Sequence, residues 1–165
     1  MLFLDLEIEP DEPVIRFRRS VNAEAEVVFT AWTTPAALLR WWGPPELPLV
    51  ECTLDLRVGG AYRFVHRAGD GSRHVFTGTY EAIRRPTLLR YTSRFEPWPE
   101  SAVDTVTFDE RDGHTVIECE SRHPSFESRE RWVHGGMERG LSAGQTRLDA
   151  YLANRETDET EKERE

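Results

Sequence analysis

Residues 47–122 read as six successive segments in which apolar and polar side chains alternate: "LPLVECTLDL", "GAYRFVHRA", "SRHVFTGTYEAI", "TLLRYTSRF", "AVDTVTFDE" and "HTVIECESRH". Alternation at period two marks strands with one buried face. The segments are parted only by Gly59-Gly60, "AGDGS" at 68–72, "RRP" at 84–86, "EPWPES" at 96–101 and "RDG" at 111–113. Connectors that short make neighbouring strands antiparallel. After His123-Pro124 the period changes to 3.6 and holds from about Phe126 to Asn154, with Val133, Met137, Leu141, Leu148 and Leu152 as the apolar stripe. That predicts one helix about 40 Å long.

The segment before this block supplies the remaining elements. "VIRFRRS" (14–20) alternates and reads as a first strand. A helix follows, with Asn22 as its expected N-cap and Val28, Phe29 and Trp32 on one face. A second short helix starts with Thr34 as N-cap and Pro35 at the first helical position. In it Leu38, Trp41 and Trp42 share a face, and Gly43-Pro44-Pro45 ends the element. The expected fold is α+β: a curved seven-stranded antiparallel sheet around a long C-terminal helix, with two short helices after strand 1.

Turn chemistry registers one hairpin. Centring it on Asp70 pairs His66 with His74, Phe64 with Phe76 and Tyr62 with Gly78, all on one face. The corresponding inward residues later in the chain are Leu89, Tyr91, Ser93 and Phe95, then Val106 and Phe108, then Ile117, Cys119 and Ser121. Gly136, Gly140 and Gly144 fall four residues apart beside the helix stripe. Since a mid-helix glycine costs roughly 1 kcal/mol against alanine, that line implies either close packing or a space beside the helix.

With hydrophobic residues at 38% and charged residues at 31% of 165, the chain suits one domain. Residues 1–12 carry five acids and no base, and 156–165 carry six acids against Lys162 and Arg164. Residues 13–155 are left with 19 acids and 19 arginines. The expected organisation is an acidic extension over 1–12, a domain over 13–155 and an acidic disordered tail over 156–165. Without a cationic surface, nucleic acid is excluded as a partner. No apolar run suits a membrane span and no basic leader opens the chain, so a cytoplasmic location is expected. Cys52 and Cys119 lie far apart and read as packed thiols in a reduced compartment.

"WTTPAALLRWWGP", "DLRVGGAYRF", "GTYEAIRRPTLLRYT", "VTFDERDGHTVI" and "GGMERGLSAGQTRLDAYL" resemble, in that order, the bacterial proteins related to the C-terminal domain of the activator of Hsp90 ATPase. These belong to the START/Bet v 1-like superfamily. The resemblance spans about residues 14–153 and implies a helix-grip fold with a cavity between sheet and long helix. It also implies a set of roles: lipid carriers, polyketide cyclases and stress-linked proteins. A homodimer is the assembly it suggests, and an Hsp90-type chaperone is the protein partner it brings in.

Three functional readings follow. The leading one is a non-catalytic module that holds a small hydrophobic ligand, lined by Trp41, Trp42, Phe64, His66, Phe76, Tyr91, Phe108, Trp132 and Met137, with Trp98 capping the entrance. The second is a cyclase- or hydratase-like enzyme using His66, His74 or Asp104 as acid or base. The third is a chaperone-linked interaction protein. "GLSAG" at 140–144 matches a Gly-x-Ser-x-Gly motif, but Ser142 lies in a helical pattern and no histidine follows it, so the match is coincidental. The five histidines form no short metal-ligand motif; no metal and no cofactor are expected. Asp55 and Arg57 read as a surface ion pair.

Overall fold

The computed structural model describes residues 4–164. Eight strands form one antiparallel sheet: β1 (Asp5–Ile8), β2 (Val14–Val21), β3 (Leu49–Leu54), β4 (Ala61–Arg67), β5 (Arg73–Arg84), β6 (Leu88–Phe95), β7 (Ala102–Arg111) and β8 (His114–Arg122). Their spatial order is β1-β2-β8-β7-β6-β5-β4-β3. Helices α1 (Ala25–Thr33) and α2 (Pro35–Trp41) follow β2, and α3 (Phe126–His134) and α4 (Met137–Glu163) close the chain. The helix-grip layout is present with one strand more than expected.

That strand, β1, lies inside the segment expected to be an acidic extension. Its residues pair with β2, Asp5 opposite Arg18 and Glu7 opposite Arg16, while Glu9 and Glu12 also form ion pairs with Arg16. Leu4 and Leu6 pack against the core. Alternate apolar residues and acids matched to β2 arginines together make the segment an edge strand. At the other end α4 continues as helix through Glu163, where a disordered tail was expected from residue 156. The glutamates, lysine and arginine of this segment are strong helix formers.

The hairpin register is as read from its turn: His66 opposite His74, Phe64 opposite Phe76, Tyr62 opposite Gly78. The predicted start of α1 is corrected. Glu24, not Asn22, is the N-cap and makes no side-chain capping bond. Instead, the Ala25 N–H donates to the Glu110 carboxylate at 2.7 Å, so a strand residue supplies the acceptor that a local cap would. Thr34 and Pro35 open α2 as expected.

The single C-terminal helix is also corrected. Gly135 caps α3, its N–H donating to the Arg131 carbonyl, and Gly136 takes a left-handed φ of 87° before α4 begins. Such a φ suits glycine and strains residues with a Cβ. The break turns the chain between Trp132 on α3 and Met137 on α4.

Arginine bonds fix α4 to the rest of the fold, among them Arg139 to Glu46 at 2.6 Å. Buried Arg19 of β2 donates to the Gln145 backbone carbonyl at 2.9 Å and pairs with Asp149. Arg147 donates to the carbonyls of Gly43 and Arg40, each at 2.9 Å, satisfying acceptors at the end of α2. Leu148 and Leu152 enter the core.

Candidate functional site

Between the inner face of the sheet and α3–α4 lies a cavity of about 480 Å³. Its lining comes from β2, α1, α2, β4 to β8, the α2–β3 and β6–β7 connectors, His123 after β8, α3, the Gly135-Gly136 break and α4. Size and composition fall in the range of small-molecule pockets, which are mostly apolar with a few placed polar groups.

One end is closed by tryptophans. The Trp32 and Trp41 ring centroids lie 4.9 Å apart, Trp41 and Trp42 5.1 Å, and Trp42 and Phe64 5.6 Å. Trp41 is 1% exposed, and its indole N–H donates to the Ala31 carbonyl at 2.9 Å. That bond ties α2 to α1 and satisfies the one polar atom of a buried ring. The rings of "WTTPAALLRWWGPP" are thus packed against one another and against β4, as expected for a lid.

The opposite end is a looser group of rings. Phe95 meets Trp98 edge to face at 5.1 Å, Trp98 meets Trp132 at 5.4 Å, and Phe76 lies 5.2 Å from Phe95 and 5.8 Å from Trp132. Trp98, Trp132 and Met137 are all partly exposed. We take this end as the mouth; Trp98, expected to cap the entrance, borders the cavity here.

Eight of the nine expected lining residues border the cavity: Trp41, Trp42, Phe64, His66, Phe76, Tyr91, Trp132 and Met137. Phe108 is corrected. It faces inward, but α1 covers that part of the sheet, and its ring packs edge to face against Phe29 and Trp32 at 5.7 and 5.6 Å. It is core.

The glycine line has two explanations rather than one. At Gly144 a Cβ would lie 3.3 Å from the Gly43 nitrogen, so the absent side chain admits the end of the lid. A Cβ at Gly140 would meet only Pro44, at 3.8 Å, and this residue borders the cavity.

The candidate acid–base residues do not converge. His66 is 4% exposed, and its Nδ1 lies 2.9 Å from the Leu47 carbonyl. Burial lowers its pKa, so it serves as a neutral packing group beneath the lid loop. His74, partly exposed, stacks on Phe95 at 5.8 Å. Asp104 sits elsewhere, on β7, with Tyr91 of β6 and Ser121 of β8 as its register partners. Burial raises its carboxyl pKa to about 6, against a smaller lowering by the Ser121 hydroxyl. Burial also raises the Tyr91 and Cys119 pKa values.

His123 was missed as a cavity residue. It follows β8, is 4% exposed, and its Nε2 lies 3.3 Å from the Ser121 hydroxyl. Burial, then Arg129, lowers its pKa to about 4. The available signal was positional: Asp104 and Ser121 interrupt inward rows that are otherwise largely apolar, and His123 continues the Ser121 parity past the strand end. Among the described residues, no group of three or more His, Cys, Asp or Glu is placed to hold a metal ion. None of the helices is long and apolar enough to cross a membrane, among the same residues. Asp55 and Arg57 form an exposed ion pair at 2.6 Å.

Solved structures share this architecture. A protein from Rhodobacter sphaeroides superimposes with a TM-score of 0.83 at 23% identity, covering 91% of this chain and 99% of that one. Proteins from Mycobacterium smegmatis and Arthrobacter aurescens each give 0.81 at 22% identity, covering 90% and 91% of this chain and 95% and 91% of theirs. No curated protein matches the sequence. The sequence profile described as activator of Hsp90 ATPase homolog 1-like protein matches residues 22–153. With most of its length inside that profile, the chain belongs to the activator of Hsp90 ATPase homolog 1-like family.

Proposed function

We propose that the protein holds a small, largely apolar molecule in the cavity between sheet and helices. The observation that carries this is the cavity itself: about 480 Å³, bordered by aromatic rings on both the sheet and the helix side. Core side chains normally pack to a density that leaves only small voids, so a space of this size framed by rings calls for a ligand. The fixed lid at one end and the partly exposed rings at the other give it a closed floor and a route in.

The test is titration with a neutral apolar fluorophore, N-phenylnaphthylamine, together with native mass spectrometry of the loaded protein. Saturable binding of one molecule per chain, weakened by Trp132→Ala, is expected. An absence of binding by the folded protein would overturn the reading.

An enzyme acting on the same kind of molecule has one observation in its favour: Asp104, a carboxyl held near pKa 6 on the cavity wall, a value suited to proton transfer near neutrality. Turnover of a hydratable or cyclisable substrate, abolished by Asp104→Asn with probe binding retained, would support that reading. For the chaperone-linked role, a contiguous apolar outer patch would be needed. Among the described residues the exposed large hydrophobics are Ile8, Leu39, Val50, Val58 and Phe126, on β1, α2, β3, the β3–β4 connector and α3.

A further inference from the structure

The cavity wall is mostly apolar; besides His66, His74, Ser93 and Gln145 it carries one polar strip, where Asp104, Ser121 and His123 follow one another across β7, β8 and the residue after it. Of the cavity residues' polar atoms buried without a hydrogen-bond partner, the Trp32 indole nitrogen lies among the floor rings, and two, Asp104 Oδ1 and His123 Nδ1, belong to this strip. Unsatisfied buried polar atoms are rare in folded proteins and each calls for an explanation. Here both belong to residues that border the same cavity, and one strand partner, Ser121, links them through its hydroxyl.

The charge of the wall narrows what these atoms can receive. Among the described residues that border the cavity there is no arginine or lysine, and Asp104 is the one acid. The two buried arginines outside the lining are already engaged: Arg19 pairs with Asp149 and bonds to Gln145, and Arg129, which acts on His123, pairs with Glu130 and donates to the Glu9 and Glu12 carbonyls. A carboxylate or phosphate entering the cavity would therefore lose its hydration beside another acid, with no cation to receive it. A plain hydrocarbon would fill the volume and leave both polar atoms unused. A hydroxyl group donates and accepts, so it can serve the Asp104 oxygen and the imidazole nitrogen in either protonation arrangement.

We propose that Asp104, Ser121 and His123 form the polar anchor of the cavity, and that its ligand is an uncharged amphiphile whose hydroxyl group docks on them. This rests on the cavity-binding reading above and goes beyond it, assigning the chemical class of the ligand and the residues that select it.

The experiment is competition against bound N-phenylnaphthylamine by 1-decanol and by decanoate, whose chains match and whose head groups differ in charge. It is run near pH 8, where decanoate is fully ionised. In the wild-type protein 1-decanol is expected to displace the probe at a concentration about tenfold lower than decanoate, the scale of one unmatched buried polar contact. Asp104→Asn removes the repelling charge and should bring the two competitors within about threefold. His123→Phe keeps an aromatic ring of similar size and should weaken 1-decanol about fivefold, measured relative to the probe's affinity for the same variant. Thermal melts of each variant establish that it is folded. Equal displacement by the two competitors, with a ratio that Asp104→Asn leaves unmoved, would overturn the anchor. So would probe binding that neither compound displaces, although the cavity reading would then stand. Failure of the wild-type protein to bind the probe at all would overturn both.

Discussion

At the α2 end of the cavity Trp32, Trp41 and Trp42 interlock at centroid distances of 4.9 to 6.0 Å, and Trp41 is 1% exposed. At the α3 end Phe95, Trp98 and Trp132 meet at similar distances, 5.1 and 5.4 Å, yet all three stay partly exposed. The rings and their spacing are alike; the backing differs. Behind the first group stand two helices, an indole N–H bonded to the Ala31 carbonyl, and the Arg147 bonds from α4 to the end of α2. Behind the second lie the β6–β7 connector and the Gly135-Gly136 break between α3 and α4. The same aromatic chemistry thus makes a floor where backbone acceptors and a buried indole bond tie the elements together, and a mouth where the tie from α3 to the β6–β7 connector is the partly exposed Arg131–Glu100 ion pair.

The sharpest way to break this comparison is to truncate one ring at each end. Trp41→Ala deletes a fully buried ring and its hydrogen bond, so urea unfolding should show a loss of roughly 3–5 kcal/mol. Trp132→Ala removes a partly exposed ring and should cost about 1 kcal/mol or less in the same measurement, while probe affinity drops about fivefold or more. Equal stability losses at the two positions would erase the distinction between floor and mouth.

The polar strip between the two ends gives a pH test with opposite signs at its two titrating members. Asp104 has a folded-state pKa raised from 3.8 to about 6, so the folded chain holds its proton after the unfolded chain has released it. Stability therefore falls as pH rises from about 4 to about 6, and the deficit is complete above that window. Asp104→Asn should raise the melting temperature by about 5 °C near pH 8 and leave it unchanged near pH 2.5, where both states are protonated. His123 is lowered from 6.5 to about 4, so the unfolded chain takes up a proton first. The stability it contributes is full above the unfolded value and is lost as pH falls through that range. Melting curves of His123→Phe should show a shallower acid limb. The smallest effect is expected outside the cavity: Asp55→Ala breaks an exposed ion pair and should shift stability by about 0.5 kcal/mol or less.

Local signals and non-local ones divide what the sequence made legible. The β4–β5 register followed from the turn at Asp70 because a tight turn fixes every pair beyond it. The lid followed from Pro35, from three tryptophans within and just after two adjoining short helices, and from a Gly-Pro-Pro stop. The start of α1 was misplaced because its acceptor, Glu110, lies 85 residues away, and no local pattern carries that. Strand β1 had a signal, the alternation of Leu4, Leu6 and Ile8, but the acids between them read as a tail until β2 supplied Arg16 and Arg18 as partners. The Gly135-Gly136 break lay within a helical period that persists on both sides, so period alone ran through it. Phe108 faced the expected way; which helix covers which part of a sheet is a tertiary fact. The site shows the same division: aromatic rows were readable strand by strand, whereas the Asp104–Ser121–His123 strip exists only once β7 and β8 are paired.

The most direct measurement of the central claim is a titration of the protein with 1-decanol, followed through the five indole N–H signals in 1H–15N NMR spectra. Saturable shifts are expected at Trp42, Trp98 and Trp132, which border the cavity, with Trp41 held by its bond to Ala31 and moving least. Five unmoved indole signals in a protein that remains folded would contradict that claim.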